Sequence, residues 1–152
     1  MTPRASRPTI AQEARLKVLS IAALILAALT VCHAQVVDIG VQSIVWPRWE
    51  VDEGIPWHPS AYWRNFGTVD AEFRAWLAIY DSLGVLDYVD STTVDRLAPD
   101  QNVRLYFRPY TPKGPLRSMP WWTVRCSTYA VSDANDANDV LADSFRVAPT
   151  PI

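Results

Sequence analysis

Histidine, cysteine and methionine each occur twice, and glycine five times, in the 152 residues. Each shortage closes a class of function. His33 and Cys32 fall within the first 34 residues, which leaves a lone His58 and a lone Cys126 in the rest. One imidazole cannot build a zinc site, and no Ser-His-Asp or Cys-His pattern surrounds it. His58, in Trp57-His58-Pro59, reads as a surface loop residue. One cysteine excludes an intramolecular disulfide, so the core must hold the fold unaided. Cys126 sits in the alternating run Trp122-Thr123-Val124-Arg125-Cys126-Ser127-Thr128, on the apolar side. A small buried hydrophobe is the expected role there, ahead of an intermolecular bridge. No Gly-rich phosphate loop is present. Basic charge is short as well: beyond residue 34 there are ten basic against fifteen acidic residues. No basic stripe is visible in the sequence, which argues against nucleic acid or an anionic membrane as partner.

One long apolar run is present, Val18 to Val31, behind Arg4, Arg7, Arg15 and Lys17. It is shorter than the ~20 apolar residues that a spanning helix needs. Cys32-His33-Ala34 puts small residues where a signal peptidase reads, so cleavage is predicted between Ala34 and Gln35. Residues 1–34 are therefore expected to be a signal peptide, residues 35–147 one secreted domain, and residues 148–152 a loose tail. The expected location is extracellular or cell-surface, with no membrane contact after cleavage.

Strand patterns dominate after residue 35. The expected strands are Val36 to Trp46, Ala61 to Phe66, Ala71 to Tyr80, Asn102 to Phe107, Trp121 to Val131 and Ser144 to Val147. Val85 to Val89 and Thr92 to Leu97 read as short strands or extended links. Val51 to Pro59, Pro109 to Pro120 and Ser132 to Asn138 read as loops. A helix competes only over Ala71 to Leu83. There the apolar face Phe73, Ala75, Leu77, Ile79 has the period of a strand. Short strands separated by turns predict an all-β protein, a two-sheet, immunoglobulin-like sandwich of about seven strands.

Carboxylates are scattered over turns, and none forms a pair set apart for acid–base work. The cluster Asp133, Asn135, Asp136, Asn138, Asp139 is the one candidate for calcium. It lacks the Gly at the sixth position and the Glu at the twelfth of an EF-hand loop, so a structural turn is the stronger reading. No cofactor is expected.

Tryptophan is the anomaly: all seven lie beyond residue 45. Parity along the strands assigns Ala61, Trp63, Phe73, Ala75, Leu77, Ile79, Val103, Leu105, Phe107, Trp122, Val124 and Cys126 to the interior. It leaves Tyr62, Phe66, Trp76, Tyr80, Tyr106 and Tyr129 outside, interleaved with Arg64, Arg74, Arg104, Arg108 and Arg125. A wet sheet face is normally polar, and aromatic plus Arg is the composition of binding hot spots. The alternative is that Arg stems cover these rings by cation–π stacking. The expected interface residues are Tyr62, Arg64, Phe66, Trp76, Tyr80, Tyr106, Arg108 and Tyr129.

A family likeness gathers these pieces. Asp38-Ile39-Gly40-Val41, Ser43-Ile44, Pro59 to Thr68, Leu97-Ala98-Pro99-Asp100, Val103, Phe107, Val124 to Thr128, Asp133 to Asp139 and Phe145-Arg146-Val147 follow in an order that resembles a CARDB-type module, the cell-adhesion-related domain of bacterial secreted proteins. The resemblance implies a seven-stranded immunoglobulin-like sandwich with an extracellular binding or structural role and no catalytic residues. Two departures stand out: Asp100 occupies a position where the family commonly has Gly, and the Pro109 to Pro120 loop is long. Gly67 is expected to supply a positive φ in the turn Asn65-Phe66-Gly67-Thr68.

Two uses follow. One is a non-catalytic structural or adhesion subunit that assembles with itself into a filament or surface layer. It would do so through its aromatic and Arg faces and an extended N-terminal arm (Val36, Val37, Ile39, Val41, Ile44) added to a neighbour's sheet edge. The other is a monomeric module that binds a glycan or a cell-surface protein.

Overall fold

A computed structural model describes residues 35–114 and 121–149. The leader, residues 1–34, lies outside the described residues, as does the second half of the Pro-rich loop. Eight strands follow in order: β1 (Ile39–Trp46), β2 (Glu50–Asp52), β3 (Ser60–Asn65), β4 (Ala71–Tyr80), β5 (Leu86–Leu97), β6 (Asn102–Tyr106), β7 (Trp121–Tyr129) and β8 (Val140–Ala148). They form two sheets, β1-β3-β6 and β2-β8-β7-β4-β5, with one buried core formed from both. The architecture is an all-β, two-sheet sandwich.

Alternation explains the packing. On β4, Ala71, Phe73, Ala75, Leu77 and Ile79 are buried while the residues between them are not. β7 repeats the pattern with Trp122, Val124 and Cys126. Side chains of successive strand residues point to opposite faces, so one face of each strand fills the interior. Ile39, Val41, Ala61 and Trp63 reach that interior from the smaller sheet, and Phe145 and Val147 from β8. The helical alternative over Ala71 to Leu83 is not adopted.

Several expected boundaries move. Leu86–Leu97 is one continuous edge strand rather than two short ones, paired with β4 along its length, and Val85 lies just before it. The supposed loop after Val51 contains β2, which runs parallel to β8 through Val51↔Val147. The last strand begins four residues earlier than expected, because Val140 to Asp143 pair with β7. β2 is only three residues long, and Val140-Leu141-Ala142-Asp143 has no apolar–polar alternation, so neither segment announces a strand by its period.

The Val36–Ile44 segment is not a free arm. β1 pairs antiparallel with β3, from Ile39↔Asn65 to Trp46↔Ser60. Ahead of it, the Val36 N–H donates to Thr68 Oγ1 and the Thr68 N–H donates to the Val36 carbonyl. The Val37 carbonyl accepts from the Ala134 N–H, and the Ile39 N–H donates to Asp133 Oδ2. The apolar side chains that marked the segment as an assembly arm are drawn into its own core: Ile39 is fully buried and Val41 nearly so.

Two turn residues act differently from expectation. Gly67 does not adopt a positive φ; those glycines are Gly54 and Gly84. What Gly67 supplies is room, since a Cβ there would lie 2.2 Å from the Val36 carbonyl oxygen. Asp100, at the position where the resemblance calls for Gly, does take the left-handed conformation, with φ of 61°. Asp tolerates that region better than most residues.

Cys126 is fully buried, and burial pushes its thiol pKa up to about 12. The thiolate is the reactive form. Protein lacking residues 1–34, and with them Cys32, is expected to resist aromatic disulfide reagents at pH 8 when native and to react with one equivalent per chain when unfolded. Rapid labelling of native protein would contradict the buried placement.

Candidate functional site

The outer face of the five-stranded sheet is built by the residues that alternate with the core. β4 contributes Glu72, Arg74, Trp76, Ala78 and Tyr80; β7 contributes Trp121, Thr123, Arg125, Ser127 and Tyr129. Register aligns them in rows. Arg146 of β8 faces Trp121, Arg125 lies between Ala142 and Ala78, Ser127 lies between Val140 and Trp76, and Arg74 faces Tyr129. Tyr80 faces Thr123 and Leu86. Four rings thus run the length of the face: Trp121, Tyr80, Trp76 and Tyr129. Trp121 is 51% and Tyr129 63% exposed, while Trp76 and Tyr80 are half-buried.

Three arginines lie among them. The Arg74 guanidinium sits over Trp76 at 5.3 Å and donates to Ser91 Oγ. Arg146 sits over Trp121 at 5.9 Å. Among the described residues none of Arg74, Arg125 and Arg146 forms an ion pair, whereas Arg64, Arg96, Arg108 and Lys113 pair with Asp100, Asp70, Asp90 and Asp87. The basic stripe missing from the sequence is assembled by the fold from β4, β7 and β8. At the Tyr129 end a cleft of about 400 Å³ opens between Tyr129, Val131, Thr93, Asp70 and Glu72.

The expected interface residues do not form one site. Trp76, Tyr80 and Tyr129 belong to this face. Tyr62, Arg64 and Tyr106 stand on the smaller sheet, with Phe66 just past its end. There the arginines are engaged internally: Arg64 lies 5.2 Å over Phe66 and pairs with Asp100, and Arg104 lies 4.6 Å over Tyr106 and donates to Ser60 Oγ. Arg stacking on outer rings therefore occurs on both sheets, and the rings are not drawn into the core. Tyr106 remains 61% exposed. Arg108 is elsewhere again, ion-paired to Asp90 of β5.

Trp121 and Arg146 were overlooked. Trp121 shares the parity of Arg125 and Tyr129, so placing Trp122 inside already put it outside. Arg146 gives the same signal within the expected strand Ser144 to Val147, where Phe145 and Val147 on either side turn inward and leave it outside. Trp49, the most exposed tryptophan at 79%, follows Pro47 in the bend before β2, where no alternation applies.

The first half of the Pro-rich loop is part of the scaffold. Tyr110 is buried against Trp57, Tyr88 and Trp122, and its hydroxyl donates to Asp87. Burial works to raise the Asp87 pKa, but the Lys113 ammonium and the Tyr110 hydroxyl outweigh it and hold the carboxyl below its usual range. The Gly54 N–H donates to the Pro112 carbonyl.

The acidic turn serves structure. Asp133 accepts from the backbone N–H groups of Ile39 and Asn135, and Asn138 donates to Asp38. Among the described residues no group of three His, Cys, Asp or Glu side chains is arranged to hold a metal ion. Asp139 is the uncomfortable member. Burial, then the charges of Asp133, Asp136 and Asp38, raise its pKa to about 6. A raised carboxyl favours folding when protonated, so its contribution is complete below about pH 4 and is lost as pH rises through 6. Asp139→Asn is expected to raise Tm at pH 7.5 by roughly 2–5 °C and to leave it unchanged at pH 4. Equal shifts in thermal melts at both pH values would contradict this origin.

His58 is exposed, its Nδ1 2.9 Å from the Phe107 carbonyl oxygen. It and Cys126 supply no nucleophile–base pair.

No protein-family model matches the chain, and no curated protein matches it in sequence. Solved structures do. The CARDB domain of a Pyrococcus furiosus protein, crystallised in complex with di-metal ions, superposes with a TM-score of 0.55 at 16% identity, over 76% of this chain and 96% of that one. The fold is that of a CARDB-type module. The solution structure of the same CARDB domain matches at 14% identity over 73% and 93% of the two chains, with a TM-score of 0.49. A β-glucuronidase from Bacteroides uniformis matches over 72% of this chain but 13% of the enzyme, at 12% identity and a TM-score of 0.47, too distant to bear on function. Within this CARDB-type fold, Trp63 fills the core position between the sheets, 5.9 Å from Phe107.

Proposed function

We propose that this chain is a secreted, non-catalytic adhesion or binding module that holds its partner against the outer face of the five-stranded sheet. One observation carries the reading: four rings and three arginines that form no ion pair among the described residues share a single face of a domain that is acidic in balance. Exposed aromatic and Arg clusters concentrate binding energy, and apolar area left in water marks contact surfaces. The CARDB-type fold supports the class of role.

Replacing Tyr129 and Trp76 by Ala should weaken binding of the purified protein to the envelope fraction of its producing cells ~10–100-fold, as loss of hot-spot residues does. Tyr106→Ala should leave it within ~3-fold, as at positions outside a hot spot. The reverse order would refute the choice of face.

Self-assembly is the second reading. It is favoured by the two aromatic–Arg faces lying on opposite sheets, because a contact between unlike faces does not close and grows into filaments. Strand donation by the N-terminal segment plays no part in it. Light scattering across a concentration series should show growth that Tyr129→Ala and Tyr106→Ala both abolish; a constant monomer mass would remove this reading.

A further inference from the structure

Resting on that face as the contact surface, the geometry points to the chemical class of its ligand: an acidic polysaccharide bound lengthwise, its carboxylates on Arg146, Arg125 and Arg74. The three arginines descend a diagonal across adjacent strands. Arg146 on β8 is level with Trp121, Arg125 on β7 lies four residues further along, and Arg74 on β4 is level with Tyr129, four residues further again. At ~3.4 Å per residue along a strand and ~4.8 Å between strands, successive Cα atoms are ~14 Å apart and the series spans ~28 Å. A small anion would engage one such charge; an extended polymer reaches all three.

The surface between them suits sugar. Rings occur level with or between the arginines, and sugar rings present an apolar face to aromatic platforms. Thr123, Ser127 and Ser144 offer hydroxyls to hydroxyls. Ala78 and Ala142 keep the floor shallow, whereas a peptide partner anchors its side chains in pockets. Carboxylates of the face stand toward its two ends: Glu50 is opposite Arg146 with Asp52 two residues on, and Glu72 precedes Arg74 by two residues, while Arg125 at the centre has Ala78 and Ala142 opposite it. Planar guanidiniums recognise carboxylates through paired N–H donors. With fifteen acidic against ten basic residues beyond residue 34, the rest of the domain repels a polyanion, which leaves this stripe as the landing place.

Native affinity electrophoresis tests the assignment, with polygalacturonate, its methyl ester, hydroxyethylcellulose, polyglutamate or single-stranded DNA in the gel. The wild-type protein should be retarded by polygalacturonate at concentrations at least tenfold below those of the methyl ester. Arg125→Gln should weaken retardation ~5–10-fold, and the triple Arg74→Gln, Arg125→Gln, Arg146→Gln variant should abolish it. All three arginines are exposed, and unchanged circular dichroism would show the variants folded. Equal retardation by acidic and neutral glycans, or equal retardation by polyglutamate or DNA, would overturn the acidic-glycan assignment while leaving the face as a binding surface. No retardation by any polymer, with envelope binding still sensitive to Tyr129→Ala, would also overturn it and leave the broader reading standing. Envelope binding insensitive to Tyr129→Ala and Trp76→Ala would remove both.

Discussion

Asn65→Ala is expected to cost about 4–6 kcal/mol of stability, enough to unfold much of the protein at ambient temperature. Asn65 is fully buried at the end of β3. Its Nδ2 donates to the carbonyls of Val69 and Leu97, at 2.7 and 2.8 Å, and its Oδ1 accepts from the Gly67 N–H at 2.9 Å. The side chain therefore ties together the turn entering β4 and the end of β5. Truncation takes a partner from two buried backbone groups, the Leu97 carbonyl and the Gly67 N–H, and from the part-buried Val69 carbonyl, each buried loss costing about 1–3 kcal/mol. Asn65→Asp should be nearly as damaging, because a carboxylate cannot donate to two carbonyls. Denaturant unfolding with an unchanged m-value would measure the loss. A change under 1.5 kcal/mol for the alanine variant would show that water or relaxation satisfies these groups. Gly67→Ala belongs to the same locus and is expected to destabilise through the close approach of the Val36 carbonyl.

The second large effect concerns Trp63. It is fully buried between the sheets and packs on Phe107. Trp63→Ala should cost about 3–5 kcal/mol, from lost apolar burial and a cavity that the sheets cannot close. Trp63→Phe should cost far less, about 1–2 kcal/mol, because the indole Nε1 is buried with no hydrogen-bond partner and its removal loses no bond. Equal losses for the two variants would mean that the indole N–H is bonded after all.

These positions were legible to different degrees. Trp63 could be placed inside from parity and from the resemblance, and β4 could be bounded to the residue, because alternation is strongest where one face is fully buried and the other wet. Asn65 was read only as a turn residue. A buried polar side chain bonded to main chain thirty residues away leaves no trace in local pattern. The N-terminal segment shows the opposite failure. Its apolar β-branched residues were correctly read as a strand and then wrongly assigned a partner, since apolar alternation states that a face will be buried but not against what. The binding face divides the same way. Trp76, Tyr80 and Tyr129 were visible as outward rings on the central strands. Their separation from Tyr62, Phe66 and Tyr106 depends on which sheet each strand joins, and parity within a strand carries no information on strand order. The arginine diagonal depends on β8, β7 and β4 being neighbours in one sheet and on their register, neither of which parity within a strand conveys.

The claim beneath all of this is that alternate residues of β4 and β7 face outward for another molecule to cover. Hydroxyl-radical footprinting tests it most directly, read at single residues by mass spectrometry with and without the envelope fraction of the producing cells. In free protein, Trp121 and Tyr129 should label fast, and Trp63 and Trp122 hardly at all. On binding, labelling of Trp121, Tyr129 and Trp76 should fall together, with Tyr106 unchanged. Unaltered labelling of those three rings in a demonstrably bound sample, or ready labelling of Trp63 and Trp122 in the free protein, would contradict the account.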